Sequence, residues 1–150
     1  MPKTLTRKQL WTRLKMGLYS PLARQGCDIA EVLLTTGMKA SHLAQLRWRD
    51  VDFEQNIVRI PADHAGDVRW VMFGPYVEEL LLVWRGPVFS DDALVLGPNV
   101  AEVLDAAERQ LRKAFELYDI PGVNFEVIEN TSTKYGLARP AEAEPTEYIM

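Results

Sequence analysis

The chain has 150 residues, 47% apolar and 25% charged, proportions that suit one folded domain and exclude a disordered chain. Its 17 basic residues against 21 acidic ones leave a net charge of −4, which argues against a generically basic nucleic-acid coat or a membrane-surface binder. A single cysteine, Cys27, excludes an internal disulfide framework and a multi-cysteine zinc site. No apolar run approaches the ~18 residues of a membrane span, and the opening Met-Pro-Lys-Thr lacks the apolar stretch of a signal peptide. The expected setting is the cytoplasm, with no membrane partner.

In chain order, Thr6-Arg-Lys-Gln9 reads as a capping box, in which a Thr hydroxyl and a Gln side chain satisfy free N–H groups. Leu10, Trp11, Leu14 and Leu18 follow at helical spacing, and Ser20-Pro21 breaks that helix. A second apolar helix runs through Ile29, Val32, Leu33 and Leu34 to a stop at Gly37. Ser41 is placed to cap a short third helix with Leu43 and Leu46. Ile57–Ile60 and Val68–Phe73 are β-rich runs, and the segment 61–67 between them reads as a hairpin loop. Pro75 opens a helix through Val77, Leu80, Leu81 and Trp84 that Gly86-Pro87 ends. Asn99-Val-Ala-Glu102 is a further capping signature. It precedes the longest helix, with Val100, Val103, Leu104, Ala107, Leu111, Phe115 and Tyr118 on one face as far as Pro121-Gly122. Phe125–Thr133 fits either a strand or a short helix. The order helices, hairpin, helices predicts an α+β fold, with 1–138 as a single domain and 139–150 as an acidic, mobile tail.

The charge is uneven along the chain. Residues 1–59 hold ten basic and five acidic residues, a net +5; residues 60–150 hold seven and sixteen, a net −9. Such asymmetry points to separate surfaces with separate partners.

The stretch Leu33-Leu-Thr-Thr-Gly-Met-Lys-Ala-Ser-His-Leu-Ala-Gln-Leu-Arg-Trp-Arg-Asp-Val-Asp52 resembles the first signature of the tyrosine recombinases, the phage-integrase family. That signature reads roughly Tyr-Thr-Gly-hydrophobic-Arg-hydrophobic-Ser-Glu-Leu, then Leu-x-Trp-x-Asp-hydrophobic-Asp. Element order and spacing extend the resemblance over about residues 5–135. It implies a mostly helical catalytic domain with a small antiparallel hairpin or sheet. In that family a Tyr attacks a DNA phosphodiester, and two Arg, a hairpin Lys and one or two His (or Trp) neutralise the phosphate and move protons, work that needs fixed cations and bidentate Arg forks.

Each of these positions departs from the pattern here. Lys39 stands in place of the first Arg and lacks its planar fork. His42 replaces the Glu of the signature. The hairpin loop offers Asp63, His64 and Asp67 instead of a Lys. The family's His-x-x-Arg aligns with Glu126-Val-Ile-Glu129. A carboxylate about 4 Å from a phosphate is opposed by about 4 kcal/mol at an effective dielectric of 20. Set against the resemblance, the upstream clamp domain and the segment with the second His are expected to be missing, and Thr146-Glu-Tyr148 is only a faint echo of the nucleophile motif. These departures predict a degenerate site of Lys39, His42, His64, Glu126 and Glu129, and a catalytically inactive protein rather than an enzyme. Lys39 is expected either at a phosphate or in an ion pair with Glu126 or Glu129.

The expected role is that of a DNA-binding regulator from a phage or mobile element. Lys8, Arg13, Lys15, Arg47, Arg49, Arg59 and Arg69 are the candidate contacts with double-stranded DNA. Trp70 beside Arg69 is the best candidate for an aromatic contact; Trp11, Trp48 and Trp84 read as core or interface anchors. The alternative is a protein-interaction module that modulates a recombinase or another partner, as a hetero- or homo-oligomer. Two histidines without a third ligand make no metal site, Cys27 reads as a buried filler, and neither a cofactor nor a small-molecule substrate is expected.

Overall fold

A computed structural model of the chain describes residues 3–19, 23–60, 68–87 and 89–141. The capping box forms as expected: the Thr6 N–H donates to Gln9 Oε1 at 2.9 Å, and the Gln9 N–H to Thr6 Oγ1 at 3.2 Å. Helix α1 (Arg7–Tyr19) follows. Helix α2 (Arg24–Thr36) ends at Gly37, whose φ of 72° lies in the left-handed region and whose N–H donates to the Leu33 carbonyl. Helix α3 (Ala40–Gln45) starts earlier than its predicted cap. Ser41 sits inside the first turn, and the Lys39 N–H donates to His42 Nδ1 at 3.2 Å, so the imidazole three residues on does the capping.

A 3-10 turn (Trp48–Asp50) leads into β1 (Val51–Asp52). The Asp52 carboxylate accepts the N–H groups of Glu54 and Gln55 and reverses the chain into β2 (Ile57–Ile60). β3 (Arg69–Met72) pairs antiparallel with β2, Val58 facing Val71. The expected loop between them, with Asp63, His64 and Asp67, lies outside the described residues. Helix α4 (Pro75–Arg85) carries Pro75 in its first turn. Helix α5 (Val100–Glu116) starts where expected, but the Asn99 side chain makes no capping bond. The ambiguous segment is helix α6 (Phe125–Tyr135), because Asn124 Oδ1 caps it by accepting the Val127 N–H at 2.9 Å. β4 (Arg139–Pro140) adds the fourth strand, in the order β1-β2-β3-β4. The sheet thus extends two residues past the expected domain boundary at 138; 142–150, the rest of the expected tail, lie outside the described residues.

Helix α2 is the hub. It packs against α1, α4, α5 and α6, and Ile29, Val32, Leu33 and Leu34 are buried among Leu111, Phe115, Val127 and Ile128. Gly26 makes the α2–α5 approach possible: a Cβ there would lie 2.3 Å from the Ala107 carbonyl oxygen, and its N–H donates to Gln110 Oε1 at 3.0 Å. At the far end of α2, Ser132 Oγ on α6 donates to the Leu34 carbonyl at 2.7 Å. Of the predicted α5 face, Ala107, Leu111 and Phe115 are buried, whereas Tyr118 lies beyond the helix and is exposed. Trp48 is a core residue, Trp70 and Trp84 are half-buried, and Trp11 is 70% exposed, so Trp11 is no core anchor. Its neighbour Leu10 faces the core instead. Cys27 is half-buried on the wall of a cavity of about 440 Å³ that Leu14, Leu111 and Phe115 also line. Burial pushes its thiol up to about 11, which makes it a poor nucleophile.

Two outcomes test this packing. Gly26→Ala is expected to cost about 3 kcal/mol, since the new methyl meets backbone that cannot move independently of α5; urea unfolding measures it. Asp28 is 7% exposed and accepts the Tyr76 hydroxyl at 3.2 Å. Burial raises its carboxyl above the ordinary range, against the opposing Tyr76 hydrogen bond and the Arg24 charge. The folded state then holds that proton more tightly than the unfolded chain, so stability falls as pH rises through the raised value. Asp28→Asn keeps an acceptor for Tyr76 and is expected to raise the urea midpoint at neutral pH, with the gain vanishing near pH ~3, below the ordinary Asp value.

Candidate nucleic-acid interface

The turn that follows α2 sets the first part of the site. Gly37 turns the chain beneath Ala138, whose Cβ a side chain at 37 would meet at 2.8 Å. Met38 is buried, Lys39 is exposed and His42 is buried. The packing of α6 along α2 brings Glu129 to this turn, where its Oε2 accepts the Ala40 N–H at 3.3 Å across 89 residues of sequence. Lys39, His42 and Glu129 therefore lie together, although they come from distant parts of the chain. Glu126, one turn earlier on α6, is exposed. Burial raises the Glu129 carboxyl above its ordinary value; the Ala40 N–H and the Lys39 charge oppose that rise, Glu126 reinforces it, and His42 opposes it. His64 and Tyr148 fall outside the described residues.

The arginines form a second group, and most are already engaged. Arg13 pairs with Glu31 at 3.0 Å and also donates to the Leu10 carbonyl. Arg59 reaches Asp50 at 3.5 Å. The backbone N–H of Arg47 donates to Asp50 Oδ2, and its guanidinium donates to the Asp92 carbonyl. Arg49 pairs with the Asp92 carboxylate at 2.9 Å, with both side chains more than half exposed. Lys8, Lys15 and Arg69 are exposed, and no carboxylate among the described residues lies within ion-pair distance of them.

Sequence reasoning missed Asp92. The segment 89–97 runs back along 46–49: the Trp48 N–H donates to the Ala93 carbonyl, the Arg49 N–H to the Asp91 carbonyl, and the Val95 N–H to the Leu46 carbonyl. Phe89 anchors the segment edge-on to Trp48 at 6.4 Å, and the Arg85 guanidinium lies over the rings of both Phe53 and Phe89. No local pattern announces such a pairing across some forty residues. Among the described residues no group of three or more His, Cys, Asp or Glu is placed to hold a metal ion, and no helix is long and apolar enough to cross a membrane.

No protein-family model matches the sequence. Individual proteins do. The prophage integrase IntF of Escherichia coli (strain K12) is 38% identical over 89 residues, covering 58% of this chain and 18% of that protein. The tyrosine recombinase XerC of Pediococcus pentosaceus is 39% identical over 57 residues, covering 38% of this chain and 19% of that protein. Among solved structures, the XerA recombinase matches 91% of this chain and 50% of its own, with a TM-score of 0.66 at 20% identity. The Tn1549 transposon integrase, in complex with circular intermediate DNA, matches 90% of this chain and 53% of its own, with a TM-score of 0.69 at 16% identity. Part of the chain is thus similar in sequence to tyrosine recombinases, and its α+β fold matches about half of each of these solved chains. The chain spans about a fifth of the length of these sequence relatives and about half of the solved chains.

These likenesses correct one expectation. The sequence departures predicted a protein that is not an enzyme, whereas the relatives and structural neighbours are recombinases, which are enzymes. The physical weakness of that expectation is visible in the site. The weight of an aligned glutamate depends on its surroundings: Glu126 stands in solvent, where its charge is screened, and the half-buried Glu129 is already engaged by the Ala40 N–H and the nearby Lys39 charge.

The structure makes His42 a cap for the turn that carries Lys39. His42→Ala is expected to cost about 1 kcal/mol, the loss of a partly buried hydrogen bond to the Lys39 N–H. His42→Asn, which restores a short acceptor, is expected to recover part of it. Thermal unfolding of both variants checks this.

Proposed function

We propose that this chain works on double-stranded DNA as a regulatory, DNA-gripping domain of a phage or mobile-element integrase system. The observation that carries the proposal is likeness in both sequence and fold to integrases, one of which is bound to DNA in its solved structure. Exposed Lys8, Lys15 and Arg69 supply phosphate contacts without first giving up an ion pair to Glu31, Asp50 or Asp92, and exposed Lys39 adds one beside Glu129. Arg49 joins them at small expense, because an exposed pair such as Arg49–Asp92 is worth roughly 0–1 kcal/mol. Arg13, paired with the half-buried Glu31, contributes less.

Phosphate contacts release counterions, so affinity is expected to fall steeply between about 50 and 200 mM salt. Simultaneous replacement of Lys8, Lys15 and Arg49 by Ala is expected to weaken binding across DNA sequences. It is also expected to flatten the salt slope by about one unit for each cation removed from a phosphate. Titration of labelled duplex by fluorescence anisotropy reads both. Absence of binding at low salt overturns the DNA reading in favour of the second one, a module that docks on a protein partner. The exposed apolar side chains Trp11, Val83 and Leu117 are the observation that favours that reading.

A further inference from the structure

Glu129 combines three properties. Its carboxylate is half-buried, it accepts the Ala40 N–H at 3.3 Å, and it shares its surroundings with Lys39, His42 and Glu126. The bond to Ala40 ties α6 to the turn that displays Lys39. Its position is secured from both sides: α6 is held to α2 through Ser132 and the Leu34 carbonyl, and Asn124 caps the start of α6. A carboxylate so held cannot swing away when another anion approaches Lys39. It competes with that anion for the Lys39 charge, and repels it as well.

We propose that Glu129 is an internal counter-ion of Lys39, a positioning residue that holds the turn in place and attenuates the grip of Lys39 on a DNA phosphate. The inference rests on the DNA-binding reading above. It has a direct consequence for pH. Burial raises the carboxyl above the ordinary glutamate value, so acid removes the competing charge sooner than for an exposed glutamate, while a neutral carboxyl still offers a carbonyl oxygen to Ala40. The groups that face Glu129 are Lys39 and His42 on the adjoining turn and Glu126 on its own helix. His42 is the other titratable group facing Glu129 across the turn, so the test has to separate the two.

Anisotropy titration of a labelled duplex from about pH 8 down through the ordinary glutamate value of about 4.3, with wild type, Glu129→Gln, Glu126→Gln and Lys39→Ala, does so. Glu129→Gln keeps the acceptor and removes the charge. It is expected to tighten binding roughly three- to tenfold near pH 7.5 and to flatten the acid-side gain of the wild type. Exposed Glu126→Gln is expected to do less, and the double variant Lys39→Ala/Glu129→Gln is expected to lose the gain. Equal or weaker binding by a folded Glu129→Gln overturns the proposal, as does a pH profile that survives in it, which assigns the effect to His42. A second readout is the titration of Glu129 itself by side-chain NMR. Lys39→Ala is expected to move it upward, because a favourable cation is lost. An unmoved titration overturns the counter-ion while leaving the DNA reading intact. Absence of duplex binding by every variant overturns the phosphate half of the proposal together with the DNA reading, whatever the titration shows.

Discussion

The close approach of α2 to α5 at Gly26 is the constraint on which the rest of the structure depends. A helix that packs against four others must bring its backbone near its neighbours for its apolar side chains to be dry. Gly26 removes the one side chain that would keep α5 away. Once α2 and α5 are in contact, Leu111 and Phe115 close over Ile29 and Leu33, and α6 settles along the other flank. Its Ser132 takes up the Leu34 carbonyl near the C-terminal end of α2. The Gly37 turn then has one route, beneath Ala138. Lys39 is displayed at the surface because the core beneath it is arranged in this way.

Electrostatics in this protein is a matter of arrangement more than of totals. A net charge of −4 disfavours nucleic acid only if the charges are averaged. The fold instead sets specific carboxylates against specific cations: Glu31 on Arg13, Asp50 on Arg59, Asp92 on Arg49, and Glu129 beside Lys39. Exposed pairs of this kind are weak and exchange readily for other anions. Those with a half-buried carboxylate are more firmly held. The surface therefore carries graded cations, some exposed and others held against a neighbouring carboxylate.

The likeness to recombinases changes how the departures at Lys39, His42, Glu126 and Glu129 are read. Seen as letters, two glutamates where cations are expected suggest a dead site. In the fold, one of them is solvated, and the other is engaged by the Ala40 N–H beside Lys39. Substitution in a motif changes the local field by an amount that depends on burial and hydrogen bonding, neither of which a motif records.

Local chemistry made much of the fold legible. The Thr6–Gln9 capping box, the Gly37 stop, Pro75 at a helix start and the two β-rich runs each act within a few residues, so their outcome is written in adjacent letters. The stretch from Leu33 to Asp52 was legible in the same way and pointed to the correct fold class. Ser41 and Asn99 misled because capping residues compete with the three-dimensional surroundings: at α3 the imidazole of His42 took the role, and at α5 the Asn99 side chain made no bond. What the sequence by itself determined is the set of elements, their order and the residues able to bear charge. Only the tertiary structure decided which charges meet. The pairing of Asp92 with Arg49, and of Glu129 with the turn at Lys39, joins residues far apart in the chain, and those distances are set by the packing of α2 and its neighbours rather than by any local preference.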